Sequence, residues 1–215
     1  MDPDTLTSLQ SSYDRVADEY ARRIYDELKD KPLDRELLDN LAKRLTKKGI
    51  ICDMGCGPGH VARYLHERGA HLMGIDISAG QVEQARRLNP GIEFRQGNML
   101  ALDVPDGAWA GIAAFYSIIH IPRPEVIRAL AELRRTIQTG GLLLLAFHIG
   151  DEVVHLDEWW GEPVCVDFIF FQPEEMSGYL ESAGFQIIDT VVRAPYPEVE
   201  HPSHRAYILA QKPGT

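Results

Sequence analysis

Apolar side chains recur at helical spacing at Tyr13, Val16, Ala17, Tyr20 and Ile24, and again at Leu33, Leu37, Leu38, Leu41 and Leu45 before a Lys47-Lys48-Gly49 stop. Two amphipathic helices are predicted there. Short apolar runs follow, predicting strands at Ile50–Met54, His71–Ile75, Ile92–Arg95, Gly111–Tyr116 and Leu142–Phe147. Helical patterns lie after Gly59, over Ala79–Leu88 and over Glu125–Ile137. Strands separated by helices imply βαβ crossovers and a largely parallel sheet. Beyond Phe147 the rhythm changes. His148–Gly161 reads as a polar and aromatic connection, Val164–Phe171 as a strand, and Pro173–Ala183 as a helix ending at Gly184. Phe185–Val192 and Ala206–Gln211 suit a hairpin on the sheet edge. The predicted fold class is α/β: a doubly wound, mostly parallel seven-stranded sheet with an antiparallel C-terminal β-hairpin.

With 215 residues, 45% of them hydrophobic, the chain can bury a sufficient core as one domain spanning 1–215. There are 22 Lys and Arg against 32 Asp and Glu, a formal charge of -10, and no basic run. This disfavours nucleic-acid and anionic-membrane partners. Cys52, Cys56 and Cys165 are odd in number and form no C-x-x-C pair, so neither a disulfide framework nor a zinc knuckle is indicated. Met1–Gln10 is polar and acidic, unlike a secretory signal, and no apolar run approaches the ~18 residues of a membrane span. A soluble, cytoplasmic protein is expected.

The chemistry concentrates after the first predicted strand, in Asp53-Met54-Gly55-Cys56-Gly57-Pro58-Gly59. In a doubly wound sheet this is where a cofactor binds, and the glycines let the backbone turn sharply and approach it. A nicotinamide-dinucleotide fingerprint wants glycine three places after the second one, but His60 stands there. Asp76 closes the second strand roughly 20 residues on, where a carboxylate can accept both hydroxyl hydrogen bonds of a ribose.

Ile51–Gly59, then Gly74-Ile75-Asp76-Ile77-Ser78, then Gln96-Gly97-Asn98-Met99 closely resemble the first three motifs of the class I S-adenosylmethionine-dependent methyltransferases, a Rossmann-like family. The resemblance extends from about Tyr13 to Lys212. It implies S-adenosylmethionine as cofactor, S-adenosylhomocysteine as product, and no metal. By this likeness Gly55, Gly57 and Gly59 approach the methionine part, Asp76 and Ile77 hold the ribose, and Asn98 and Met99 border the adenine. Asn98 stands where many relatives carry Asp. Asp53 answers the amino group of the methionine moiety, directly or through water. Cys56, a small filler of the loop rather than a nucleophile, belongs to the cofactor set, which Tyr13, Tyr20 and Phe115 complete.

The fourth-motif region, Phe115-Tyr116-Ser117-Ile118-Ile119-His120-Ile121-Pro122, carries neither an Asn-Pro-Pro-Tyr nor an Asp-Pro-Pro-Tyr motif. The layout resembles the small-molecule subset of the family, which implies a small-molecule acceptor. His120 and His148 follow predicted strands and are the candidate general bases. Trp159 and Trp160, with Tyr116, are the candidate acceptor contacts. The N-terminal helices, within 1–48, and the segment 148–172 are expected to cover the site. His155, His201 and His204 lie on less constrained segments, and Asp151, His155 and Asp157 share no spacing that would hold a metal. Two other readings stand beside the first: an NAD(P)-dependent oxidoreductase, and a non-catalytic protein that binds S-adenosylmethionine.

Overall fold

The computed structural model describes residues 1–214. Strand β1 (Ile50–Met54) lies centrally, parallel to β2 (His71–Asp76) on one side and to β4 (Trp109–Phe115) on the other. β3 (Glu93–Gln96) continues the sheet beyond β2, and β5 (Ile137–His148) beyond β4, both in parallel. β9 (Arg205–Gln211) then runs antiparallel to β5 and to β8 (Gln186–Arg193). The order is β3-β2-β1-β4-β5-β9-β8, the seven-stranded sheet expected from the alternation.

Central strands are buried on both faces, which explains their unbroken apolar runs. On one face α3 (Pro32–Leu45) packs Leu38, Leu41 and Leu45 against Ile51, joined by Val61 and Leu65 of α4 (His60–His66). On the other, α6 (Arg123–Thr136) buries Val126, Ala129, Leu130 and Leu133, one helical stripe, beside Met176 and Leu180 of α7 (Pro173–Ser182). Helix α5 (Ala79–Leu88) covers β2 and β3 through Val82 and Ala85.

Two regions differ from the expectation. The first predicted helix is a pair, α1 (Pro3–Arg15) and α2 (Ala17–Ile24), broken at Val16 with φ -92° and ψ 3°. α1 reaches back into the polar stretch because Asp2 accepts hydrogen bonds from the N–H groups of Asp4 and Thr5, and Pro3 fits a first helical turn.

The second difference is the connection after β5. Residues 153–159, expected to be irregular, form β6 (Val153–Trp159), which pairs with β7 (Glu162–Ile169) as a separate antiparallel hairpin. Trp160 and Gly161 make its two-residue turn with φ 56° and 86°. Positive φ at both positions matches the strand twist. Charged residues on the open face hide the alternation, while Val164 and Val166 are buried against Leu9 and Val16 of the N-terminal helices.

Candidate active site

The sheet order reverses between β1 and β4, and a cavity opens there beyond the carboxyl ends of β1, β2 and β4. This is the ligand crevice that a doubly wound fold provides. Of the expected cofactor residues, Tyr13, Tyr20, Gly55, Gly57, Asp76, Ile77, Asn98, Met99 and Phe115 line it.

Backbone geometry demands glycine here. Gly55 has φ +71°, and a Cβ on it would lie 2.3 Å from Cβ of Ser117. Gly57, φ +50°, donates its N–H to Oδ2 of Asp76 at 2.8 Å, and Ser78 donates its N–H to Oδ1 at 2.9 Å. Each oxygen retains a second lone pair, so two ribose hydroxyls can still be received. Burial pushes the Asp76 carboxyl up to about 6, against the opposing pull of those N–H donors.

Three residues of the expected cofactor set, Asp53, Cys56 and Gly59, are not among those that line the cavity. Asp53 is buried and accepts the N–H of Ala62 at 2.9 Å, holding the first turn of α4. Burial raises its carboxyl to about 7, with His60 pulling the other way. Cys56 is also buried, and its sulfur would lie 3.0 Å from a Cβ on Gly74. Gly59 adopts φ +82° as the cap of α4, backed by Asn89 and Phe94. These residues shape the loop from the protein side.

Two buried polar residues of the cavity wall carried no expected role. Gln81 is completely buried, and neither its Oε1 nor its Nε2 has a hydrogen-bond partner; Ser117 Oγ is likewise unpartnered. Both line the crevice. Buried polar atoms without partners are costly, and a polar ligand in the crevice would satisfy them. The only signal in the sequence was a glutamine five residues after Asp76.

A second cavity, about 1190 Å³, adjoins the first and shares Tyr13, Tyr20 and Tyr116 with it. Trp159, Phe168 and Phe170 from the hairpin side line it, with Glu27, Lys31, Glu200 and Arg205 among its charged lining residues. Trp159 packs edge-on against Tyr13 and Tyr20 at 5.7 and 5.6 Å. Trp160 lines neither cavity; it leans on Trp159 and Tyr20 beneath the Arg23 guanidinium.

The two candidate bases are separated. His120 lines the first cavity and His148 the second. His120 Nδ1 lies 2.9 Å from the carbonyl oxygen of Asp167, which can only accept, so the ring proton sits on Nδ1. Nε2 therefore accepts the Tyr13 hydroxyl, 2.8 Å away. Burial holds His120 down to about 4. His148 stacks on Phe170, bonds Ser203 Oγ through Nδ1 at 2.8 Å, and is held down to about 3 by burial and then by the nearby Arg205 charge. Both rings are neutral at pH 7. His201, which carried no expected role, packs against His148 and Phe170 in the second cavity. His155 instead pairs with Asp167 and Asp157 on the open face of the hairpin.

Among the described residues no group of three or more His, Cys, Asp or Glu is arranged to hold a metal ion, and no helix is long and apolar enough to cross a membrane.

Fold and crevice together define a doubly wound α/β domain with a ligand-sized crevice at its topological switch point. Residues 51–141 match the family model for the methyltransferase domain. The chain is 29% identical over 171 residues to a probable methyltransferase, ltbC, of Aspergillus luteorubrus, covering 66% of this chain and 58% of that one. It is 25% identical over 186 residues to a ubiquinone biosynthesis O-methyltransferase of Pseudomonas aeruginosa, covering 79% and 78%. Among solved structures, the DhpI–S-adenosylhomocysteine complex superposes with a TM-score of 0.73 over 100% of both chains at 20% identity. A SAM-dependent methyltransferase of Methanosarcina mazei gives 0.70 over 77% of this chain and 93% of that one at 18% identity. On these matches the chain is similar to the class I S-adenosylmethionine-dependent methyltransferases. It spans about 40–61% of the length of the first three curated relatives it matches.

Proposed function

We propose that the protein transfers a methyl group from S-adenosylmethionine to a small-molecule acceptor, with the cofactor in the first cavity and the acceptor in the second. The single observation that carries this reading is the pair of cavities meeting at Tyr13, Tyr20 and Tyr116, one lined by the glycine loop and Asp76 and the other by aromatic rings. The residues fit the cofactor. Gly55 leaves a cradle that a Cβ would fill, and Gln81 and Ser117 offer unpartnered polar atoms. When bound, S-adenosylmethionine supplies an electrophilic methyl group on a sulfonium.

The chain's own residues then bind, orient and exclude water. Asp76 receives the ribose hydroxyls, and Asn98 and Met99 border the adenine. The aromatic wall of Trp159, Phe168 and Phe170 suits a planar ring, and the ring faces of the shared tyrosines favour a neighbouring cation. Alignment of this kind is the main catalytic contribution in an in-line displacement. His120 orients Tyr13, and His148 faces the acceptor. The N-terminal helices and the β6–β7 hairpin serve as the cover. The naming of the Pseudomonas relative as an O-methyltransferase of ubiquinone biosynthesis supports a small-molecule acceptor.

Calorimetry tests the cofactor assignment. S-adenosylmethionine and S-adenosylhomocysteine should bind with one site per chain, and NAD should not. Preferential NAD binding, or none of the three, would overturn it.

A further inference from the structure

At the junction of the two cavities the hydroxyl protons of Tyr13 and Tyr116 are committed away from it. Tyr207 O–H lies 2.9 Å from Oδ2 of Asp34, 3.0 Å from Nε of Arg193 and 3.2 Å from the Tyr116 hydroxyl. An arginine Nε–H only donates and a carboxylate only accepts. Tyr207 therefore spends its one proton on Asp34 and accepts from Arg193, so the bond with Tyr116 must run from the Tyr116 O–H to the Tyr207 oxygen. Tyr13, by the argument above, spends its proton on His120. Any group that meets the Tyr13 or Tyr116 oxygen from the cavities meets lone pairs. A hydrogen-bond donor is favoured there, and a carboxylate oxygen finds no proton to accept.

Tyr116 has further marks of a functional position. Among the described residues it is one of three non-glycine positions with positive φ, at 54°, a conformation that persists only where its surroundings enforce it. The chain of bonds from it ends at Asp34, 1% exposed, whose Oδ1 has no partner at all. Asp34 faces Arg193 at 3.0 Å, Tyr207, and the Lys31 charge; Arg193 is also paired with Glu200, so it keeps a counterion if Asp34 is neutralised.

Resting on the methyltransferase reading, we propose that the acceptor is a planar ring compound with a protic nucleophile, a hydroxyl or N–H group, and that Tyr116, Tyr207 and Asp34 carry its proton away. The acceptor heteroatom gains a bond to the methyl carbon as the methyl–sulfur bond breaks, its electron pair staying on sulfur. The acceptor's proton passes to the Tyr116 oxygen, that of Tyr116 to Tyr207, and that of Tyr207 to Oδ2 of Asp34. The sulfonium and carboxylate charges disappear together, whereas a proton delivered to His120 would create a buried imidazolium.

The test uses naphthol, naphthylamine and naphthoate of matched substitution, titrated calorimetrically into the protein saturated with S-adenosylhomocysteine. Naphthol or naphthylamine should bind about three- to tenfold more tightly than naphthoate, the scale of one hydrogen bond, and Tyr116→Phe should erase the preference. Whichever of the two binds better separates hydroxyl from N–H acceptors. With S-adenosylmethionine, Tyr207→Phe and Asp34→Asn should lower turnover of that probe by ~10²-fold or more, the scale of general-base catalysis, while cofactor affinity holds. The wild-type rate should rise with pH as Asp34 ionises, and Asp34→Asn should lose that acidic limb. Tyr207→Phe keeps the Asp34–Arg193 ion pair, so it decides the matter if Asp34→Asn fails to fold. Naphthoate bound or methylated as well as the others, no probe bound or turned over, or a wild-type rate in Tyr207→Phe would overturn the proposal. Absence of S-adenosylhomocysteine binding would overturn the methyltransferase reading instead.

Discussion

Asp14 Oδ1 accepts the Ser78 hydroxyl at 2.5 Å and the Gly80 N–H at 2.8 Å, fastening α1 to the first turn of α5. Ser78 in turn caps α5 by accepting the Gln81 N–H at 3.0 Å. A carboxylate at a helix N-terminus is favoured by the unpaired N–H groups and the helix dipole. This contact sits two residues beyond Asp76 and fastens α1 beside the crevice.

Asp14→Ala should loosen the proposed N-terminal cover. Loss of a cap of this kind costs about 1 kcal/mol. Hydrogen exchange should quicken across α1 and α2 while β1 stays protected, and S-adenosylhomocysteine should slow the wild-type segments and also β6–β7. Equal exchange with and without ligand would show that these elements do not cover the site.

Asp76→Ala should weaken S-adenosylhomocysteine binding on the order of tenfold or more, since hydrogen bonds to a charged group are worth roughly 1.5–3 kcal/mol. The ionised carboxylate is the form that accepts two N–H groups and two hydroxyls. Because Asp76 is raised to about 6, wild-type affinity should be level above that pH and fall as pH drops through it. Calorimetry between pH 5 and pH 8 on wild type and Asp76→Asn reads the effect; a flat wild-type curve refutes it.

Gly55→Ala combines two faults, a side chain at φ +71° and a 2.3 Å approach to Cβ of Ser117. Together they should cost on the order of 1–3 kcal/mol and displace the loop. Adding Ser117→Gly removes the contact but not the backbone strain. Urea titration should therefore show partial recovery in the double variant, a coupling that independent sites would lack.

Tyr13→Phe leaves His120 Nε2 without its donor and unties α1 from the 3-10 turn at Ile118–His120. A loss of about 0.5–1.5 kcal/mol in denaturation is expected. His120→Gln should release the Asp167 carbonyl as well, so exchange should quicken at β7 in that variant and not in Tyr13→Phe. His120→Gln and His148→Gln should each lower turnover more than cofactor affinity; unchanged turnover in both would leave catalysis to alignment.

The sequence by itself determined the sheet and where its crevice opens. Helical and strand periodicities are local, and the Gly55–Gly59 loop and Asp76 carry their roles in backbone conformation and in position at strand ends, both of which spacing records. Tertiary structure decided the rest. Gln81 and Ser117 are ordinary polar residues until burial strips them of water, and only the fold brings Oδ2 of Asp53 to the Ala62 N–H of α4. The β6–β7 hairpin was obscured because its open face is charged, and only its packing on α1 and α2 fixes which side is buried. Tyr116, Tyr207 and Asp34 are separated by 91 and 173 residues along the chain, so no local pattern could have joined them. Their alignment comes from β9 lying antiparallel beside β5 with α3 packed across the same face, a long-range arrangement that short-range spacing does not encode.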